Sequence, residues 1–533
     1  MKSYLLKLKT LFFDKNLLLW IIIFSAAFLR LYRIQDYMTF LGDEGRDVLV
    51  AYNILHGKLT LLGPTASVGG FFLGPIYYYF MVPFLWLFNY NPVGPAVMVA
   101  LFGIATVGLL YKFSTEFFNK KIGLIASALY AISPLVISYS RSSWNPNLVP
   151  FFSLLSLYVL YKAIKNKKSI LFLICGILLG ILMQLHYLAF FLAGIIAAYI
   201  LIIKLTEAFY GNIQKTAMNY VKENLLIFSG FMIGLSPFFA FEARHGFPNT
   251  LSIFKYIFQS GDTGAGLNFF SNIYNVFFRI FARLVVHYPP PEQIAAHQFP
   301  NIETWYLLSL SLGIVGLIVL LFNLFKTISS KNNFQERFPD FLKLSLLAVW
   351  LVLGVGLFGF YKKNIYDYYF GFMFVLPFIL TAYALDYLSS KNKILKVACI
   401  LSFLGLVIIN LYGIPFRNAP NRQLNQMKTI AESVLNRTDA KPFNFALIAG
   451  GNSDHAYRYF FTLENHPPIT IENKVVDPDR KTVTDQLLVV CEGPCQPLGN
   501  SLWEVAGFGR AEIQGEWDVI VVKVYKLVHY KGE

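Results

Sequence analysis

The stretch NLLLWIIIFSAAFLRLYRIQDYMTFLGDEGRD, residues 16–47, decides how the chain is read. Its opening, NLLLWIIIFSAAFL, carries no charge, and its close, FLGDEGRD, holds three carboxylates and one arginine in eight residues. A helix needs about 20 mostly apolar residues to cross a bilayer. The opening has that character, so the close lies at a membrane surface. The question is whether Asp43, Glu44 and Asp47 form a solvated loop or a site that removes a proton or holds a cation.

Working outward, the whole chain has the first half's character. Of 533 residues, 56% are hydrophobic and 14% charged, and the mean hydropathy is +0.53. A soluble protein would be about 25% charged, so the chain reads as an integral membrane protein. The net charge of +15 comes from Lys and Arg grouped between apolar runs, which is the pattern of cytoplasmic loops rather than of a nucleic-acid binder. The first run follows MKSYLLKLKTLFFDK with no small-residue cleavage site, so it is expected to remain as a signal anchor.

Spans are centred near Phe24, Phe102, Leu129, Leu155, Ile177, Ile196, Gly230, Val315, Leu353, Leu376 and Leu404, about 11 in all. A further run, GPIYYYFMVPFLWLF, is short and contains Pro83. With the N-terminus in the cytoplasm and this run not crossing, the basic segments YKFSTEFFNKK, YKAIKNKK, 204–223, KTISSKNNFQERF and SSKNKILK all fall inside. Residues 75–89 are therefore expected to lie in or dip into the outer leaflet, within a first outer loop of residues 35–91. YSRSSWNPN, the turn MQLHY, a long loop from Glu242 to Thr304 and YKKNIYDYY would face the same side. The fold class is thus mainly α, a polytopic bundle over residues 1–413 in the plasma or inner membrane, followed by a small extracytoplasmic α/β domain over 414–533.

In that tail, NRQLNQMKTIAESVLN and DHAYRYFFTLEN have helical period, and FNFALIAGG, DQLLVVCEG and WDVIVVKVYKLV read as strands. IAGGNSD sets a Gly pair after a strand, which is a plain strand-to-helix turn or a weak phosphate loop; no Walker or dinucleotide pattern is present. Cys175 and Cys399 sit in apolar runs as small core residues. Cys491 and Cys495, in CEGPC, would face a compartment where a disulfide persists.

The notable polar groups, Asp43, Glu44, Arg46, Asp47, Arg141, Asn145, His186, His287, Lys362, Lys363 and Tyr369, all fall on the outer side. Transporter sites usually sit near the midplane with charges in broken helices, and the span centres here are almost free of charge. Chemistry at the outer face is favoured over a lipid or polysaccharide transporter or flippase. The plain alternative for the acidic cluster is a loop in which Asp43 or Gly42 caps an amphipathic helix. The functional one makes a carboxylate a general base or metal ligand.

At this point the sequence resembles the GT-C membrane glycosyltransferases, in their protein O-mannosyltransferase and aminoarabinose-transferase branch. An Asp-Glu pair in the first outer loop carries the likeness. So do GPIYYYFMVPF in the same loop, YAISPLVISYSRSSWNPNLVPFFSLLSLY, ILLGILMQLHYLAFF and YDYYFGFMFVLPFIL. The likeness covers residues 16–415, and the tail resembles the outer domain of bacterial members. It implies a hexosyl- or pentosyltransferase that moves sugar from a polyprenyl-phosphate donor to a hydroxyl of a lipid, glycan or protein. Asp43 would be the base, with inversion at the anomeric carbon, and Glu44 would position the base or acceptor. Arg46, Asp47 and Asn145 are expected to contact substrate.

The leaving phosphate needs cations, for which Arg141, Lys362 and Lys363 are candidates, with His186 as donor. His186 is also explained as a hydrogen-bonded turn residue, and the lysines as headgroup contacts. Tyr78 in IYYYF, with Tyr369, offers rings for sugar stacking, although interfacial aromatic belts explain most of the chain's aromatic residues. The chain departs from the branch at Gly74-Pro75, where Pro-Pro is usual, and at Asn145-Pro146, where some members carry an acid. No cofactor is required by the pattern; a divalent metal at Asp43 and Asp47 is the candidate. A non-catalytic protein that binds lipid-linked sugar is the remaining alternative, and a polysaccharide polymerase or ligase would not need the pair in this loop.

Overall fold

The computed structural model describes residues 15–264, 266–286, 302–329 and 334–532; His287 lies outside them. Each expected span centre falls in a helix, from Lys15–Leu31 through Val93–Phe117 to Lys393–Tyr412. The chain is a mainly helical, multi-pass membrane protein with a small C-terminal α/β domain. Two of its helical runs are sharply bent, by 73° at Leu235 and by 62° before Leu376.

Tight crossings explain how the spans pack. Helices Ser169–Leu185 and Ile213–Gly234 meet through Gly176 and Gly180 on one side and Gly230 and Gly234 on the other. A Cβ on Gly180 would lie 2.7 Å from the Gly234 carbonyl carbon, and one on Gly230 would lie 2.9 Å from the Ile177 nitrogen. Without a hydrophobic drive between helices in lipid, such small-residue seams let backbones reach van der Waals contact.

One end of the bundle carries the C-terminal domain and may be called the domain end. Helix Ile76–Leu87 has 12 residues, about 18 Å of rise against a hydrocarbon core of about 30 Å. It starts where Ile76 N–H donates to Gln184 (3.1 Å) and ends at Asn89 and Tyr90, both left-handed. The Tyr90 carbonyl accepts from the tail's Tyr459, which fastens this end of the short helix to the C-terminal domain.

The expected loop from Glu242 to Thr304 is instead largely helical, with Ser236–His245, Pro248–Gln259 and Phe269–Val286. The last is long and apolar enough to span, yet its first residues pack on Gly359 and Phe360. Its last carbonyls accept from Ser133 (Leu284, 2.6 Å) and Asn410 (Val285, 2.7 Å). Its serine, asparagine and arginine positions make it the least apolar of the candidate spans among the described residues.

The tail builds a four-stranded sheet in the order β1-β2-β4-β3 from β1 (Asn444–Ile448), β2 (Gln486–Cys491), β3 (Ala511–Val519) and β4 (Val522–His529). β1 and β2 run parallel, and the other pairs antiparallel. The run WDVIVVKVYKLV, expected as one strand, turns at Ile520, whose φ is 53°, and supplies parts of both β3 and β4. Period-two alternation sends Phe445, Leu488 and Val524 into the core shared with the bundle, while Ala446, Leu487 and Tyr525 build a second core on the other face. Cys491 and Cys495 form a disulfide; Cys175 and Cys399 are free and buried.

Candidate active site

Gly42–Leu55 forms a helix, hereafter the loop helix, whose N-cap is Leu41, with no side-chain cap of its own. The expected cap at Asp43 or Gly42 is displaced by one or two residues, and this sorts the acids. Glu44, at the third helical position, turns back so that Oε2 accepts the Leu41 N–H at 3.0 Å. Its side chain is buried, and burial pushes its carboxyl up to about 7 against the pull of that N–H.

Asp47 is fully buried. Its Oδ1 accepts from Arg46 Nε at 2.9 Å and Nη2 at 2.8 Å, while Oδ2 has no partner. Burial pushes Asp47 up to about 7 despite Arg46, whereas Arg46 is held above its ordinary value because Asp47, Tyr78 and Asp43 outweigh its own burial. The two partners point opposite ways, and two guanidinium donors on one oxygen decide for the ionised pair. Arg46 Nη1 then donates to Asp43 Oδ1 at 3.0 Å. Asp43 is the open member, its side chain 55% exposed.

Around this cluster, Tyr78 is buried close enough to Arg46 and Asp47 to feel their charges. Tyr77, buried beside Asp47, shares a 2.8 Å hydrogen bond with Ser143. Trp144 packs edge-on to Tyr368 at 4.5 Å between ring centroids, and Tyr368 meets His186. The first cluster thereby connects with a second, at the mouth of the bundle. There, the Tyr187 and Tyr361 hydroxyls lie 3.2 Å apart, and Tyr369 reaches Ser67 at 3.4 Å. His186 Nδ1 accepts the Leu188 N–H at 3.2 Å, the role of a turn histidine, and burial lowers it to about 3, so it is neutral. Asn145 donates to the Leu185 carbonyl at 2.6 Å, pinning that turn.

The other predicted cations are Arg141, Lys362 and Lys363. Arg141 is buried against the end of the first span and donates to the carbonyls of Leu29, Arg30 and Tyr32 at 3.0, 3.1 and 2.8 Å. It neutralises the negative end of that helix. Lys362 and Lys363 are exposed at the rim, Lys363 paired with Asp262 at 3.2 Å.

Sequence reasoning missed Arg279 and Arg283, four residues apart on Phe269–Val286, both on buried Asp367; the i,i+4 spacing in NVFFRIFAR was the available signal. It also missed the tail's loop 450–455. Gly42 N–H donates to Asn452 Oδ1 at 2.8 Å, and a Cβ on Gly45 would sit 2.7 Å from the His455 carbonyl carbon. His455 Nδ1 pairs with Ser453 Oγ at 2.9 Å. Burial holds its ring below the ordinary value, and it feels the charges of Asp454, Arg46 and Asp43.

For a divalent ion between Asp43 and Asp47 the fit is poor, since the Arg46 guanidinium fills the space between them. Among the described residues, no group of three or more His, Cys, Asp or Glu is arranged to hold a metal.

Residues 73–234 match the family model described as dolichyl-phosphate-mannose-protein mannosyltransferase. No curated protein matches the sequence. ArnT from Cupriavidus metallidurans bound to undecaprenyl phosphate superposes with a TM-score of 0.61 at 11% identity, over 97% of this chain and 98% of that one. Its apo state gives 0.58 at 13%, over 95% and 97%. The archaeal oligosaccharyltransferase AglB from Archaeoglobus fulgidus, in complex with an inhibitory peptide and a dolichol-phosphate, gives 0.51 at 13%, over 90% and 70%. At these identities the likeness is one of architecture: the chain is a multi-pass membrane protein with the GT-C fold.

Proposed function

We propose that the protein is a membrane glycosyltransferase that moves a sugar from a polyprenyl-phosphate donor to a hydroxyl acceptor at the outer face of the cell membrane. The observation that carries this reading is the sorting of the acids on the loop helix: Glu44 caps, Asp47 is buried on Arg46, and Asp43 alone is left open at 55% exposure. The fold and the family match over residues 73–234 support the reaction class. The lipid phosphates named with ArnT and AglB support a lipid-linked donor.

In this mechanism Asp43 takes the proton of the acceptor hydroxyl. The acceptor oxygen bonds to the anomeric carbon from the face opposite the leaving group, inverting it. The bond from that carbon to the phosphate oxygen breaks, and lipid phosphate departs with the electron pair. Arg46 is the adjacent cation. A donor phosphate competes for its Nη1 arm, freeing the Asp43 carboxylate to face the acceptor hydroxyl, while the two bonds to buried Asp47 keep the guanidinium in place. Glu44 holds the helix turn on which Asp43 stands. The sugar's ring and hydroxyls are received near Tyr78 and the tyrosines around Tyr369. No step is routed through a metal.

The test is transfer of radiolabelled sugar from polyprenyl-phosphate donors in membranes, comparing wild type with Asp43→Asn. A loss of about 100-fold or more fits removal of a general base; full transfer by Asp43→Asn removes the assignment.

A further inference from the structure

We infer that the C-terminal domain positions the base: Asn452 caps the loop helix from the tail, and Glu492 sets Asn452. This rests on Asp43 as the base of the transfer proposed above.

A helix leaves its first N–H groups without intrahelical partners. Here Leu41 has no side-chain oxygen to offer, and Glu44 satisfies only the Leu41 N–H. The Gly42 N–H, one residue before Asp43, is taken by Asn452 Oδ1 at 2.8 Å. The amide's orientation follows from its partners. Gly42 N–H only donates and the Glu492 carboxylate only accepts, so oxygen faces the helix and nitrogen faces Glu492. Asn452 Nδ2 donates to both Glu492 oxygens, at 2.9 and 3.1 Å. Tyr457 Oη donates to the same carboxylate at 2.7 Å. Glu492 itself stands in the short turn closed by Cys491 and Cys495, and its N–H is held by the Ile448 carbonyl at 3.0 Å. The turn IAGGNSD is thus neither a bare connection nor a phosphate loop. It reaches across and completes the turn that aims Asp43, so Asn452 is a positioning residue acting through the helix backbone.

The experiment uses the full-length protein in detergent, with two readouts. Hydrogen exchange on residues 42–55 needs no substrate; turnover uses radiolabelled dolichyl-phosphate mannose as donor. Removing a cap costs on the order of 1 kcal/mol, so Asn452→Ala is expected to speed exchange there about fivefold to tenfold and lower kcat about tenfold, with KM for the donor within about twofold. Glu492→Gln, whose amide oxygen still accepts, should retain wild-type values in both readouts, and Glu492→Ala should behave like Asn452→Ala. Unchanged exchange in Asn452→Ala and Glu492→Ala overturns the cap. Faster exchange with unchanged kcat overturns the positioning role. Equal loss in Glu492→Gln and Glu492→Ala also overturns it, because hydrogen bonding would not be the cause. Full transfer by Asp43→Asn is a separate failure, that of the base, and leaves the exchange result standing.

Discussion

Replacing Gly45 by alanine sets helix propensity against packing. Alanine is favoured over glycine inside a helix by about 1 kcal/mol, so an isolated loop helix would gain from Gly45→Ala. In the folded chain the new Cβ would lie 2.7 Å from the His455 carbonyl carbon, and closer still to the Ala456 nitrogen and Cα. Those atoms are backbone at the start of helix His455–Leu463, and no rotamer change can move them. Carbon atoms settle near 3.5–4.0 Å, so the helices must part by about 1 Å. Overpacking of this kind costs about 1–3 kcal/mol. Set against the propensity gain, the seam loses up to about 2 kcal/mol, which is up to roughly 30-fold faster local opening. Hydrogen exchange on residues 42–55 and 455–463 reads this directly. Gly108, inside Val93–Phe117, has nothing within 4 Å of its added Cβ, so Gly108→Ala is the neutral control. Exchange at the seam no faster in Gly45→Ala than in wild type would refute the reasoning, because propensity alone would then have decided.

Two other predictions use the same structure. Glu44 is ordinarily near 4.5 and is raised to about 7 by burial. The folded state therefore binds the proton more tightly than the unfolded one, and the stability this gives is lost as pH rises from about 4.5 through 7, by about 3 kcal/mol in all. Glu44→Gln should flatten that part of a chemical-denaturation profile, and a slope identical to wild type would show that Glu44 does not titrate there. Arg141→Ala removes a buried cation from three carbonyls and should cost about 3 kcal/mol, read as a lowered unfolding temperature with donor KM unchanged. A raised KM without loss of stability would return Arg141 to the donor phosphate.

The architecture was legible because lipid imposes a simple code. Apolar runs of the right length mark helices, and lysines such as those in YKAIKNKK mark one side. The code failed where a helix is neither apolar throughout nor polar throughout, as in Phe269–Val286. It is equally blind to contacts between distant parts of the chain. Asp43 and Glu44 were found together because they are neighbours in sequence, whereas Asn452 lies 410 positions from the Gly42 it caps. Arg141 shows a related limit of the sequence. Its residue type suits a phosphate, and only the fold reveals that carbonyls of the first span already surround it.

Gly42 and Gly45 stand one turn apart and present a bare strip of backbone to the tail. Bare strips accept only a matching contour, so this junction works as a keyed joint and not as a generic greasy contact. Chimeras would feel it first: a tail borrowed from a relative of the same fold should seat only if residues 42–45 and the 450–456 loop are exchanged as a set.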